Sequence, residues 1–434
     1  MSLSSTTAPV WMMRREKARE GISSHLNVLL LLCWLLAEIS FSQPGRSAAL
    51  DVGGLDALAL AKLAIRLIAI AAFSVIILRT HTLPRATVML YRCTPLLIFA
   101  AWTVTTCLWS GLKTVSLGHA LECVMLALLT IVAGIVCWTE HDLEIVLCNV
   151  VLMTLALMLA MLVINADLIA TGLRPAKYMQ PNNMAGVAAC GLITLLASRL
   201  LWGWRWTHKL LWPAGLIFAT AIITARSRSV LIVTSVAVLP LLWSLGRKTI
   251  PVVVVAVMGL VAAGWPYSQT VSNLPQSVES YLMRGQTMED AYTVSGRTEV
   301  WDIAIKSFLE SPLFGHGYYL MTSTGTMYVW GAQRWQTAHN IYLHVLSGTG
   351  LIGFFLLAWA LFFVLSPLAR YLKARTRVRK VALFVFLLVA WYLALGFFEL
   401  SFGGPIDPEV VLFFLILGIA AGQIATHETK AARL

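Results

Sequence analysis

The residues able to do chemistry in this chain are few. His339, followed by Asn340, ends a long polar and aromatic stretch and directly precedes the apolar run 341–366. An imidazole titrates near neutrality and can take a proton from an attacking hydroxyl, which makes His339 a candidate general base. Between apolar runs recur the arginines Arg174, Arg226, Arg228, Arg284, Arg297 and Arg334. Guanidinium groups stay charged and grip phosphate bidentately, so a diphosphate-linked substrate suits this inventory. The carboxylates of the same segments, Asp51, Glu279, Glu289, Asp290, Glu299, Asp302 and Glu310, are scattered. Their spacing makes neither a two-metal site nor a glycosidase pair. HExxH, GxSxG, DxD and Walker A motifs are missing, and the seven cysteines show no CxxC or Cys/His pairing at metal-ligand spacing. Small buried thiols are expected, with no metal and no cofactor, and arginine is left to stabilise developing charge.

These side chains must be positioned by a membrane-embedded scaffold. The 434 residues are 59% hydrophobic and 12% charged, and the mean hydropathy is +0.80. A soluble enzyme, a disordered chain and a nucleic-acid-binding domain are excluded, although the net charge is +12. In a polytopic protein that excess reports topology first. Twelve spans are predicted, at 26–42, 55–78, 94–109, 118–137, 143–165, 184–201, 210–224, 229–245, 249–265, 341–366, 381–400 and 409–425. Lys and Arg concentrate at 14–19, 79–92, 199–209, 247–248 and 370–380, which puts both termini in the cytoplasm; the turn 138–144 has no basic residue. The basic stretch before the first apolar run resembles a signal peptide, but with so many spans after it an uncleaved helix is expected. Lys62 and Arg66 lie four apart inside the second span, with a lipid phosphate or Glu38 as the expected partner of one of them.

Three parts follow: transmembrane helices one to nine over residues 1–265, one large exoplasmic loop over 266–338, and helices ten to twelve with a cytoplasmic tail over 339–434. The loop is too aromatic for a disordered linker. From Thr298 a helix is predicted with Trp301, Ile305 and Phe308 on its apolar face, an Asp302–Lys306 pair on its polar side, and a stop at Pro312 before Gly315-His316-Gly317. Such a helix would lie in the headgroup plane, cover a cavity or pack on the span ends. ATP and nucleotide sugars are not normally available on this side, so an enzyme here needs a pre-activated substrate.

Ser295-Gly296-Arg297-Thr298 with Trp301, Ser311 to Gly317, His339-Asn340 and Gly348 to Gly353 resemble the O-antigen ligase and polymerase family. The SGRT-x-x-W pattern resembles its exopolysaccharide-polymerase branch. Trp109-Ser110, Ser116-Leu117-Gly118, Pro181-Asn182-Asn183 and Ser227-Arg228-Ser229 agree. The resemblance implies an all-α membrane glycosyltransferase of the GT-C type in the bacterial inner membrane. It would transfer an undecaprenyl-diphosphate-linked oligosaccharide on the periplasmic face, with inversion and without metal, cofactor or nucleic acid. The acceptor would be a lipid-linked repeat unit for a polymerase or lipid A-core for a ligase. Carried over, His339 is the base, Arg228 and Arg297 bind diphosphate with Arg226 and Arg174 as second choices, and His316 is structural. Trp301, Trp330 and Trp335 are candidates for stacking on sugar rings. A lipid-glycan transporter or flippase is the competing class, but the loop has no counterpart in the first half.

Overall fold

The computed structural model describes residues 25–37, 57–81, 83–137, 139–243, 296–334, 336–373, 377–400 and 407–431. The expected span at 249–265, the residues Glu38, Arg284, Ser295 and Trp335, and the basic stretch 14–19 lie outside them. Among the described residues the helices are α1 (His25–Ala37), α2 (Ala57–Thr80), α3 (Pro84–Thr105), α4 (Lys113–Val136), α5 (Glu140–Ile164), α6 (Ala166–Ala170), α7 (Pro181–Ala197), α8 (Arg205–Ala225), α9 (Arg228–Trp243), α10 (Arg297–Glu310), α11 (Ile341–Tyr371), α12 (Arg377–Leu395) and α13 (Pro408–Ala431). Nine of the described helical stretches are long and apolar enough to cross a membrane, and α1 and the start of α9 are shorter apolar helices. With no water in the bilayer, a helix is how such runs satisfy their own backbone.

Local signals set the ends. Pro84 and Pro181 stand at first-turn positions of α3 and α7, where a missing N–H costs nothing. Thr139 and Asp142 form a reciprocal capping box on α5, with bonds of 2.7 and 3.1 Å. One expectation needs correction: the third span begins at Pro84 rather than near residue 94, which puts Cys93 inside a helix. The reason is that Arg85 and Arg92 are buried, not loop residues. Arg85 Nη2 donates to the Gly134 and Cys137 carbonyls at 2.6 Å, closing the end of α4.

The centre of the bundle is α13 against α4. The apolar window of α13 is 94% buried, that of α4 78%, and that of α2 only 17%, so α2 is peripheral. Contact is backbone to backbone: a Cβ at Gly418 or Gly422 would run into α4 at Thr130 and Gly134. Small residues at this spacing let helices approach where lipid supplies no hydrophobic drive. Polar side chains fasten the pair, with Thr130 Oγ1 donating to the Phe414 carbonyl at 3.1 Å and Gln423 Nε2 to that of Cys137 at 3.1 Å.

The segment 311–321 enters a break in α11. Gly350 has φ 67° and ψ −171°, a conformation that in practice belongs to glycine. The interrupted ladder is taken over by the loop: Leu351 N donates to Pro312 O at 2.8 Å, while His316 N and Gly317 N donate to Ser347 O and Gly348 O at 2.9 and 3.0 Å. Trp102 and Trp109 on the other side donate to Thr349 O and Gly315 O. Irregular backbone at membrane depth is tolerated when protein buries it in this way.

Next to it, α10 packs on α11 with Val300, Ala304 and Ser307 buried. That stripe replaces the expected one, since Ile305 is 45% exposed. Small side chains win the inner face because α11 comes close enough for Ser347 Oγ to donate to Ala304 O at 3.1 Å. A hairpin not anticipated from sequence, β1 (Met327–Val329) and β2 (Ala332–Arg334), turns at Trp330-Gly331. Both turn residues have positive φ, 52° and 73°, as a two-residue hairpin requires.

The break is directly testable. Gly350→Ala meets both a conformation closed to L-residues and the Leu313 backbone, so it should destabilise the purified protein by at least about 1–3 kcal/mol. Thermal unfolding in detergent reads this, and an unchanged midpoint would show that the loop does not depend on the break.

Candidate active site

The end of α12 turns back through Gly396 to Glu399, with Glu399 N donating to Leu395 O at 2.9 Å. Ile341 N donates to Gly396 O at 2.8 Å, and Tyr342 Oη to Leu393 O at 2.7 Å. These bonds hold the start of α11 against the end of α12. Asn340 caps α11 by accepting from the amides of Tyr342 and Leu343 at 3.0 and 3.1 Å. His339, one residue earlier, is left with φ 45°, a left-handed backbone unusual for a non-glycine residue. Trp301 Nε1 donates to Ala338 O at 2.8 Å and fixes the approach to it.

Glu399, 4% exposed, is the hub of the site. Its Oε2 faces His339 Nδ1 at 3.3 Å. Its Oε1 receives Asn182 Nδ2 at 2.6 Å and Arg297 Nη2 at 2.7 Å. Arg297, first residue of α10, also donates through Nη1 to the Phe398 carbonyl. Burial alone would raise the Glu399 pKa, but the His339 hydrogen bond and the Arg297 charge outweigh it and hold the carboxyl below its ordinary range. An ionised Glu399 accepts from Nδ1–H, so the His339 lone pair is on Nε2, the nitrogen a general base would use.

Asn182 comes from the first turn of α7, and its Oδ1 accepts from Arg174 Nη2 at 3.0 Å. Arg174 Nε donates to Ala225 O at 3.0 Å, at the end of α8. There the chain reverses through Arg226, whose φ is 51°, before α9 opens on Arg228. Burial lowers the Arg174 pKa; Glu399 opposes this, and the charges of Arg226, Arg228 and Arg297 add to it. Arg226, Arg228 and Arg297 thus all lie within electrostatic reach of Arg174, and Arg297 within reach of Arg228, a concentration of positive charge suited to an anion with more than one charge.

The structure therefore brings together His339, Arg174, Arg226, Arg228 and Arg297. Of the candidate tryptophans, Trp301 and Trp330 are among the described residues. Trp301 is partly buried and anchors Ala338. Trp330 is 42% exposed and lies under Arg334 at 5.8 Å. His316 Nε2 faces Ser307 O at 2.8 Å, a packing role. Sequence reasoning missed Glu399 and the part played by Asn182. The available signal was one acidic residue in the apolar stretch around 396–402, and ionisable residues in such places are functional candidates by default. Among the described residues no group of three or more His, Cys, Asp and Glu could hold a metal ion.

Residues 213–358 match the family model described as O-antigen ligase. The match includes Arg226, Arg228, Arg297, His339 and the broken part of α11, whereas Arg174, Asn182 and Glu399 lie outside it. No curated protein matches the chain.

Because the Glu399 pKa is depressed, its contribution to stability is complete above the ordinary carboxylate range and is lost as pH falls through the depressed value. Glu399→Gln should remove this acid limb and, by leaving Arg297 without its counter-charge, cost about 3 kcal/mol at neutral pH. Thermal unfolding against pH measures both effects. The same acid limb in wild type and variant would remove Glu399 as its source.

Proposed function

We propose, from the match of residues 213–358 to the family model described as O-antigen ligase, that the chain is a metal-independent, inverting glycosyltransferase of bacterial surface-polysaccharide assembly, working at the periplasmic face of the inner membrane. The observation that carries this reading is the His339–Glu399 pair at 3.3 Å beside clustered arginines. The donor is an undecaprenyl-diphosphate-linked oligosaccharide. Its diphosphate lies against Arg226, Arg228 and Arg174, with Arg297 completing the field while it holds Glu399.

His339 Nε2 takes the proton from the acceptor hydroxyl as that oxygen attacks the anomeric carbon. The bond from that carbon to the diphosphate oxygen breaks, and undecaprenyl diphosphate leaves with the electron pair. Arginine holds the growing charge, and Glu399 stabilises the imidazolium through Nδ1–H. One displacement inverts the anomeric centre. The SGRT-x-x-W pattern favours a lipid-linked repeat unit as acceptor, hence a polymerase. The description of the matching family model favours the second reading, a ligase that transfers the glycan to lipid A-core.

Purified protein reconstituted with lipid-linked repeats, with and without lipopolysaccharide core, separates these readings. Longer lipid-linked chains mean polymerase, a core adduct means ligase, and no transfer without a membrane gradient turns the assignment toward a transporter. Turnover should persist in excess chelator; loss that magnesium or manganese restores would refute the arginine-only scheme.

His339→Ala should lower single-turnover transfer about 10²–10⁴-fold while donor binding persists. His339→Gln keeps a hydrogen-bonding side chain but cannot take the proton, so it should be nearly as slow. Near-normal transfer by the Gln variant would remove His339 as the base.

A further inference from the structure

Away from the site, the surface that stays unexplained is apolar rather than charged. On α2, Arg66 Nη1 is 2.5 Å from Oε1 of Glu122 on α4, so Glu122 takes the place expected for a lipid phosphate or Glu38. The outer side of α10 has no such partner inside the bundle. Its inner face is Val300, Ala304 and Ser307. Ile305 and Leu309, one turn apart, make a second, outward stripe, and Leu309 is 66% exposed. The chain beyond the helix extends this stripe with Leu313 and Phe314, at 52% and 49%. Beside it runs a charged stripe, Asp302, Lys306 and Glu310, also exposed. An apolar patch rimmed by charge marks an interaction surface.

The neighbours of the stripe decide what covers it. The loop joins α11 at its break, inside a helix long and apolar enough to span: Ile352 N donates to Leu313 O at 3.3 Å. The Phe314 ring packs on Trp102 and Trp109, with centroids 6.1 and 5.8 Å away, where the apolar stretch Pro84–Leu108 ends. From this junction both helices turn exposed apolar side chains outward, Tyr91, Ile98 and Leu108 on one and Phe355, Trp359 and Phe362 on the other. Phe363 ties the two rows, its ring 5.6 Å from Tyr91 and 6.4 Å from Trp359. Such sides of spanning helices face acyl chains. Tryptophans at the end of a span mark the edge of the hydrocarbon. The α10 stripe therefore continues a lipid-facing surface past the ends of the spans.

We propose that Ile305, Leu309, Leu313 and Phe314 form a membrane-docking surface, by which the loop helix sits in the leaflet on the His339 side. Their side chains enter the upper acyl-chain region, and Asp302, Lys306 and Glu310 stay at headgroup level. The occupant is bilayer lipid, because the surface runs directly into the outward rows of α3 and α11. The seat also bears on the site. Arg297 is the first residue of α10 and binds Glu399 at 2.7 Å, so the helix that the bilayer holds is the one that delivers this guanidinium.

The test is photolabelling of the purified full chain in phosphatidylcholine nanodiscs, with adducts mapped by mass spectrometry. One lipid carries a diazirine near the carbonyl end of an acyl chain, and a second carries it at the chain terminus. The first should label residues 305–314 as well as the outward rows of α3 and α11; the second should label the rows and spare 305–314. Leu309→Glu places a charge at an exposed position without touching the α10–α11 contact. It should lower the 305–314 adducts about tenfold while the rows stay labelled, and Leu309→Trp should keep them. Wild type labelled on the rows but not at 305–314 overturns the proposal, as does undiminished labelling of Leu309→Glu. Light scattering tests the other occupant: a wild-type dimer that Leu309→Glu turns into a monomer assigns the surface to a second copy and also overturns it. If the Glu variant fails to fold, the two-depth labelling of wild type decides alone.

Discussion

One buried carboxylate organises the candidate site of this protein. Glu399 gathers an imidazole, a guanidinium and an amide from the segment before α11, the start of α10 and the start of α7. Taking a carboxylate out of water is costly unless charge and hydrogen bonds replace the water, and here both do. That requirement forces the loop helix, the α7 turn and the α11–α12 junction to meet at one point. The left-handed backbone at His339 and the reversal at Arg226 are local costs that this meeting imposes.

The second constraint is backbone accounting inside a membrane. Opening α11 at Gly350 releases amides that lipid cannot satisfy, and the carbonyls of Pro312 and Leu313 accept them instead. The exchange makes the loop part of the bundle rather than a cap resting on it. Trp102, Trp109 and Phe314 pack around the junction with centroid separations of 5.7 to 6.1 Å. The apolar core and the polar site are joined through this segment, so the position of His339 follows from the packing of α3 as well as from its own neighbours.

Much of the helical plan was legible because span-length apolar runs leave the backbone few alternatives, and the helix at 297–310 announced itself by periodicity. His339 and the arginines could be singled out because they are chemically distinct residues at the edges of apolar runs. Glu399 could not be connected to them, since Asn182 lies 217 positions away and Arg297 102; pairings at that range are set by tertiary packing. Arg85 misled for a related reason. Its charge reads as loop, but the open end of α4 supplies the carbonyls that let it be buried. The inner face of α10 was misplaced because bulk was counted where close approach to α11 selects small side chains.

The burial of α13 has a consequence for biogenesis. Among the described residues it is the most enclosed of the nine long apolar helices, yet it follows the other eight in the chain, and Glu399 lies in the connection that leads to it from α12. During synthesis the earlier helices enter the membrane before the strut they pack around exists. The groove of α4 that receives Gly418 and Gly422 must stand open to lipid or be held by an insertion factor until then. Closure of the bundle therefore waits on α13 rather than proceeding helix by helix, and the candidate site stays incomplete until that helix has docked.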